Sequence, residues 1–147
     1  MHEQRSVESI RYADYDRIKA ECQRVAEETY AKLHSGIPNS ELNADSRLPS
    51  ACGFGWVKFK GVKNKNYLEK AGFKIDKDYP SGYSISLYPL YDEPEWVKAI
   101  PDAPSGYNNA RAVFQQSVEI EEAVAQKLAE MLKDEFGVEC WADSRLD

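Results

Sequence analysis

Imidazoles and thiols are few in this chain: His2, His34, Cys22, Cys52 and Cys140. Neither histidine stands near a serine or cysteine in a nucleophile motif, and His34 falls at the end of a predicted helix, where it complements the helix dipole. Three cysteines without a CxxC pair exclude a disulfide framework and the usual zinc spacings. Cys52 and Cys140 lie in predicted strands beside Phe54 and Trp141, a setting for buried structural thiols rather than thiolate nucleophiles. Glu119, Glu121 and Glu122 open a predicted helix, where dipole and capping effects account for them without a metal. Gly53 and Gly55 make a lone GxG ahead of an aromatic strand, short of any phosphate-binding loop. No catalytic residue, metal or cofactor is expected, and the sequence points to binding.

Binding chemistry is better represented. Residues 58–77 hold seven basic and two acidic side chains in a chain of net charge -6. Lys58, Lys60, Lys63 and Lys65, with Tyr67 among them, lie on a predicted strand and the start of the next helix, where backbone N–H groups also point outward. They are candidate ligands for an anion. The competing reading is a solvated lysine face that discourages edge-to-edge aggregation. The segment Ala44-Asp45-Ser46-Arg47-Leu48 recurs identically as Ala142-Asp143-Ser144-Arg145-Leu146. If the copies meet at one end of a sheet, Ser46, Arg47, Ser144 and Arg145 form a phosphate or carboxylate site; the alternative is reciprocal Arg–Asp pairing that closes the sheet. Finally, Tyr88, Tyr91, Trp96 and Tyr107 crowd a Pro-rich connection from Pro89 to Asn109, which can dock a partner, stack a base or cover the core.

Recurrent apolar spacing supplies the elements that must position these groups. Ile18, Cys22, Val25, Thr29 and Leu33 predict a helix over Asp14–Ser35 with Asp14 as N-cap, and Ile120, Val124, Leu128, Met131, Leu132 and Phe136 predict another over Glu119–Phe136. Asn64 caps a short helix that stops at Gly72. Strands are predicted at Cys52–Val62, with Phe54, Trp56, Lys58 and Lys60 on one parity, at Tyr83–Tyr88, at Arg111–Val118 and at Val138–Ala142. The order predicts an α+β fold, a ferredoxin-like βαββαβ sheet with an added N-terminal helix. It forms one domain over residues 14–147 behind a flexible stretch, 1–13.

The chain's 147 residues, 42% hydrophobic and 30% charged, suffice to bury a core without a metal or disulfide. No apolar run reaches membrane-span length and residues 1–12 lack a signal peptide's apolar core, so a cytoplasmic protein without a membrane partner is expected. Acidic balance and the lack of an arginine-rich or recognition-helix pattern argue against duplex DNA as a ligand.

Ala51-Cys52-Gly53-Phe54-Gly55-Trp56-Val57, the acidic helix opening at Glu119–Ala123 and the closing Ser144-Arg145-Leu146-Asp147 resemble a group of small uncharacterised bacteriophage proteins with a CGFxWV strand. The resemblance covers Leu48 to Asp147, about two-thirds of the chain, and omits the first helix. It implies a phage-encoded protein working in the host bacterial cytoplasm, where small acidic non-enzymatic proteins often block defence systems. The function expected is a homo-oligomeric binding protein that counteracts host defence by blocking a host protein or sequestering an anionic nucleotide. Alternatives are a small phosphoryl-handling enzyme built on Asp45, Arg47, Asp143 and Arg145, and an assembly or scaffolding component.

Overall fold

The computed structural model describes residues 4–35, 51–100, 113–114 and 116–146. In chain order the elements are α1 (Tyr12–Leu33), β1 (Gly53–Phe59), α2 (Val62–Ala71), β2 (Ile75–Lys77), β3 (Tyr83–Ser86), α3 (Glu95–Lys98), α4 (Val118–Phe136) and β4 (Cys140–Leu146). Short 3-10 turns at Val7–Ser9 and Tyr88–Leu90 complete the set. Among the described residues, no helix is long and apolar enough to cross a membrane.

The strands form one antiparallel sheet in the order β2-β3-β1-β4. With a helix between β1 and β2 and another between β3 and β4, this is the ferredoxin-like arrangement, preceded by the extra helix α1. Its middle hairpin differs from the prediction. Among the described residues of Arg111–Val118 there is no strand: residues 113, 114 and 116 are helical, and Ser117 makes only an isolated bridge to Cys52. The missing strand is β2, whose three residues are too few to display a two-residue alternation. The last strand also runs further than expected, so the second ADSRL copy forms the body of β4 instead of following it.

Local chemistry sets the other boundaries. Asp14 is not the N-cap of α1 but its third residue, where its carboxylate accepts the Arg11 N–H at 2.9 Å. Gly61, at φ 102°, precedes α2, so the helix starts at Val62 and Asn64 lies inside it, its side-chain amide donating to the Lys60 carbonyl. The Ser117 hydroxyl accepts the Ile120 N–H to open α4. Gly137, left-handed at φ 65°, closes it through N–H bonds from Gly137 and Val138 to the Lys133 and Leu132 carbonyls.

α4 buries Ile120, Val124, Leu128 and Leu132 in a stripe that packs on β1 and β4 and against α1. Val57, Phe59, Ile85 and Cys140 meet it from the sheet. Two glycines let α4 come close: a Cβ on Gly53 would stand 2.6 Å from the Arg145 carbonyl oxygen and 2.8 Å from Val118 Cβ, and one on Gly55 would stand 3.0 Å from the Glu121 backbone. The GxG is thus a seat for a helix. Burial drives the thiol of Cys22 up to about 12 and that of Cys140 up to about 11, so both stay protonated and inert.

Residues 4–11, expected to be a loose lead-in, lie along the body: Val7 and Ile10 are buried and the Arg5 N–H donates to the Glu135 carbonyl. The Arg5 guanidinium also grips the Asp14 carboxylate at 2.9 Å. Burial alone would raise the Asp14 carboxyl, but hydrogen bonds from Arg5 and the Arg11 backbone, with the charges of Arg5 and Arg17, hold it below its ordinary 3.8. Its stabilisation is therefore present above pH 3.8 and lost as the pH falls through its lowered value. Asp14→Ala is expected to cost about 1 to 2 kcal/mol at pH 7. Urea unfolding at pH 7 and pH 3 checks it, because the deficit has to shrink in acid.

Candidate functional site

Alternation along β1 divides the sheet into two faces. Gly53, Gly55, Val57 and Phe59 point to the helices, while Phe54, Trp56 and Lys58 point away from them. β4 does the same, with Cys140, Ala142 and Ser144 inward and Trp141, Asp143 and Arg145 outward. The register sets Phe54 opposite Arg145, Trp56 opposite Asp143 and Lys58 opposite Trp141. On the other side, Trp56 faces Ser86 and Lys58 faces Ser84. Phe54 and Trp141 are each 46% exposed, too much for core residues of their size. Lys58 sits 5.6 Å from the Trp56 ring centre and 3.4 Å from the Asp143 carboxylate. Arg145 is exposed and has no ion-pair partner among the described residues.

Concavity coincides with these aromatics. A cleft of about 570 Å³ lies at the β1/β3 seam, lined by Phe54, Trp56 and Tyr88 together with Ser86, Gln116 and Glu121. It arises because β3 ends at Ser86, opposite Trp56, leaving the start of β1 without a partner there. Its volume fits a base-bearing small molecule. A neighbouring cavity of about 350 Å³ shares Tyr88, Gln116 and Glu121. Beyond the opposite end of β1, Lys60, Asn64, Glu139 and Trp141 line a third hollow of about 320 Å³.

Glu121 is the electrostatically unusual group. Burial raises its carboxyl from 4.5 to about 7, against the opposing pull of a hydrogen bond from the Gly55 backbone. A carboxyl balanced between its two forms in a cleft lined by aromatics can accept hydrogen bonds or give one. Asp76 lies on the same cleft wall.

The predicted site residues separate into several places. Lys58 and Arg145 share the outward face of the sheet, and Lys60, exposed, follows the end of β1. Lys63 and Lys65 belong to α2, pairing with Glu8 at 2.5 Å and with Glu69 at 3.0 Å, and Tyr67 packs against the core. The lysine window therefore does not form one surface. The Ser144 hydroxyl points inward and donates to Glu122 at 2.9 Å, a tie between β4 and α4. Ser46, Arg47 and Tyr107 lie outside the described residues, as does the whole first ADSRL copy. Of the loop aromatics, Tyr88 is 85% exposed at the cleft. Tyr91 and Trp96 turn inward: Tyr91 meets Phe114 at 6.0 Å, and Trp96 meets Tyr30 at 5.4 Å and His34 at 5.7 Å. His34 is buried there, and neither of its ring nitrogens has a hydrogen-bond partner.

Sequence reasoning missed four residues of this site. Phe54, Trp56 and Trp141 were legible as same-parity neighbours of Lys58 and Arg145, since alternation alone puts them on one face. Glu121 carried no signal, because a glutamate at a helix start ordinarily serves the dipole. Comparison of the chain with protein-family models, with curated proteins and with solved structures finds no match in any of the three.

Proposed function

We propose that this is a non-enzymatic binding protein whose open sheet face takes a nucleotide-class anion, with the base in the cleft between Phe54, Trp56 and Tyr88. The observation that carries this reading is the position of the exposed guanidinium of Arg145, without an ion-pair partner among the described residues, across the strand from Phe54 at that cleft. Aromatic walls bind a base through its π-face, and a free guanidinium binds phosphate through two parallel hydrogen bonds. In the phage setting that the sequence resembles, such a protein withdraws a nucleotide from a host defence system, and self-association multiplies the sites it offers.

Nothing in this chemistry needs a nucleophile or a metal, and among the described residues no group of acidic, histidine or cysteine side chains is arranged to hold a metal ion. The phosphoryl-handling alternative also needs Asp45 and Arg47, which lie outside the described residues.

Native mass spectrometry of protein purified from bacterial cells, followed by mass analysis of what denaturation releases, tests the proposal. A defined oligomer carrying a nucleotide-sized mass is the expected result. Titration of the empty protein with nucleoside mono- and triphosphates, read by tryptophan fluorescence, is expected to show saturable quenching that Trp56→Ala weakens at least tenfold and Arg145→Ala weakens about tenfold. No quenching by any nucleotide up to millimolar concentration defeats the reading.

A further inference from the structure

We propose that the ligand surface is longer than one nucleotide and that its natural occupant is a single strand of nucleic acid, about three nucleotides of it, laid along the outward face of β1. This rests on the nucleotide reading above and extends it. Two hollows lie at opposite ends of β1, one beside Phe54 and Trp56 and the other beside Lys60 and Trp141, where Asn64 and Gly137 close it from the helical layer. Lys58 stands between them, over the ring of Trp56. A mononucleotide can occupy one hollow only.

Strand geometry sets the spacing. Residues two apart on β1 are separated by about 6.6 Å, so Phe54 to Lys58 covers about 13 Å, room for three stations, and Lys60 follows just past the end of the strand. Trp141 is paired with Lys58, which makes it the diagonal neighbour of Trp56, at about 7 to 8 Å. Stacking stations about 7 Å apart are twice the 3.4 Å rise per nucleotide of a B-form strand, which suits a stretched single strand and not a duplex. Stacking of this kind tolerates any base sequence, because every base offers a π-face.

Charge along the track agrees with a phosphate backbone. Arg145 lies at one end, Lys58 in the middle and Lys60 at the other, spaced along the row of rings. Asp143 and Glu139 oppose them. The Lys58–Asp143 pair, with 30% and 45% of the side chains exposed, is held weakly enough for a phosphate to replace the carboxylate.

Fluorescence and anisotropy titrations with thymidine monophosphate and with oligothymidylates of three and nine nucleotides test this. Affinity is expected to rise at least tenfold from one nucleotide to three, to gain little per site from three to nine, and to fall with added salt. Trp141→Ala is expected to bring the ratio of trimer to monophosphate affinity down to about one, and Trp141→Phe to keep part of the gain. Asp143→Asn is expected to tighten the trimer severalfold. A trimer that binds no better than the monophosphate, or a duplex that binds as well as the single strand, overturns the strand proposal and leaves the nucleotide reading standing. Absence of binding by all of them overturns both.

Discussion

Glu121→Gln is expected to stabilise the protein by about 2 kcal/mol at pH 8, a figure reduced for the water that still reaches the carboxyl, and roughly 6 °C in melting temperature for a chain of this size. The cause is the cost of keeping a carboxylate beneath the start of β1. Its folded value of about 7 lies above the ordinary 4.5, so between these limits the folded chain holds a proton that the unfolded chain has already released. Stability therefore falls as the pH rises across that window, and the full loss is in place above pH 7. Glutamine has no charge to desolvate, and its amide oxygen can still accept the Gly55 N–H. Thermal melts at pH 4, 6 and 8 decide the matter: the two proteins should coincide at pH 4 and diverge upward. Equal melting temperatures at pH 8 would show that the carboxylate is solvated after all. A group retained at such a cost is expected to serve the ligand, so the same substitution should alter nucleotide preference even as it strengthens the fold.

The second large effect falls on Gly53. Alanine there is expected to cost about 3 kcal/mol, because its methyl group would stand 2.6 Å from the Arg145 carbonyl oxygen and 2.8 Å from Val118 Cβ. The first of these is backbone of the β4 residue paired with Phe54, and cannot retreat without loosening the strand pair. Val118 is the first residue of α4, so the helix must tilt away at the end that carries Glu121. Urea unfolding measures the destabilisation directly. An ordinary surface glycine such as Gly72 is a poor control, since its φ of 128° disfavours any side chain; Gly55→Ala, with contacts at 3.0 Å, is expected to show a smaller version of the same effect.

These two residues also show what the sequence could and could not reveal. The six apolar positions of α4 repeat at helical spacing and β1 alternates cleanly, so both elements, their faces and the β1–β4 pairing that followed from the fold class were readable. β2 was not, because three residues cannot establish a period, and the strand assigned to residues 111–118 failed because Val113 and Phe114 are both buried on a helical turn. Lys63 and Lys65 looked continuous with Lys58 and Lys60 because charge counts ignore direction. Gly61 sends the chain from strand into helix between them, and the four lysines part company there. The raised carboxyl of Glu121 depends on burial where two glycines let α4 close on β1, a relation between distant segments that no local window contains.

The pairing of Gly53 with Leu146 and of Phe59 with Cys140 has a temporal side. A ribosome adding about 5 to 20 residues per second makes β1 on the order of ten seconds before β4 exists. For that interval, the strand bearing Phe54, Trp56 and Val57 can pair with β3 on one side only, and its other edge stays open, a natural client for a chaperone. The two strands that carry the outward aromatics close a long loop, and such non-local contacts form late. The binding surface is therefore among the last parts of the molecule to come into being.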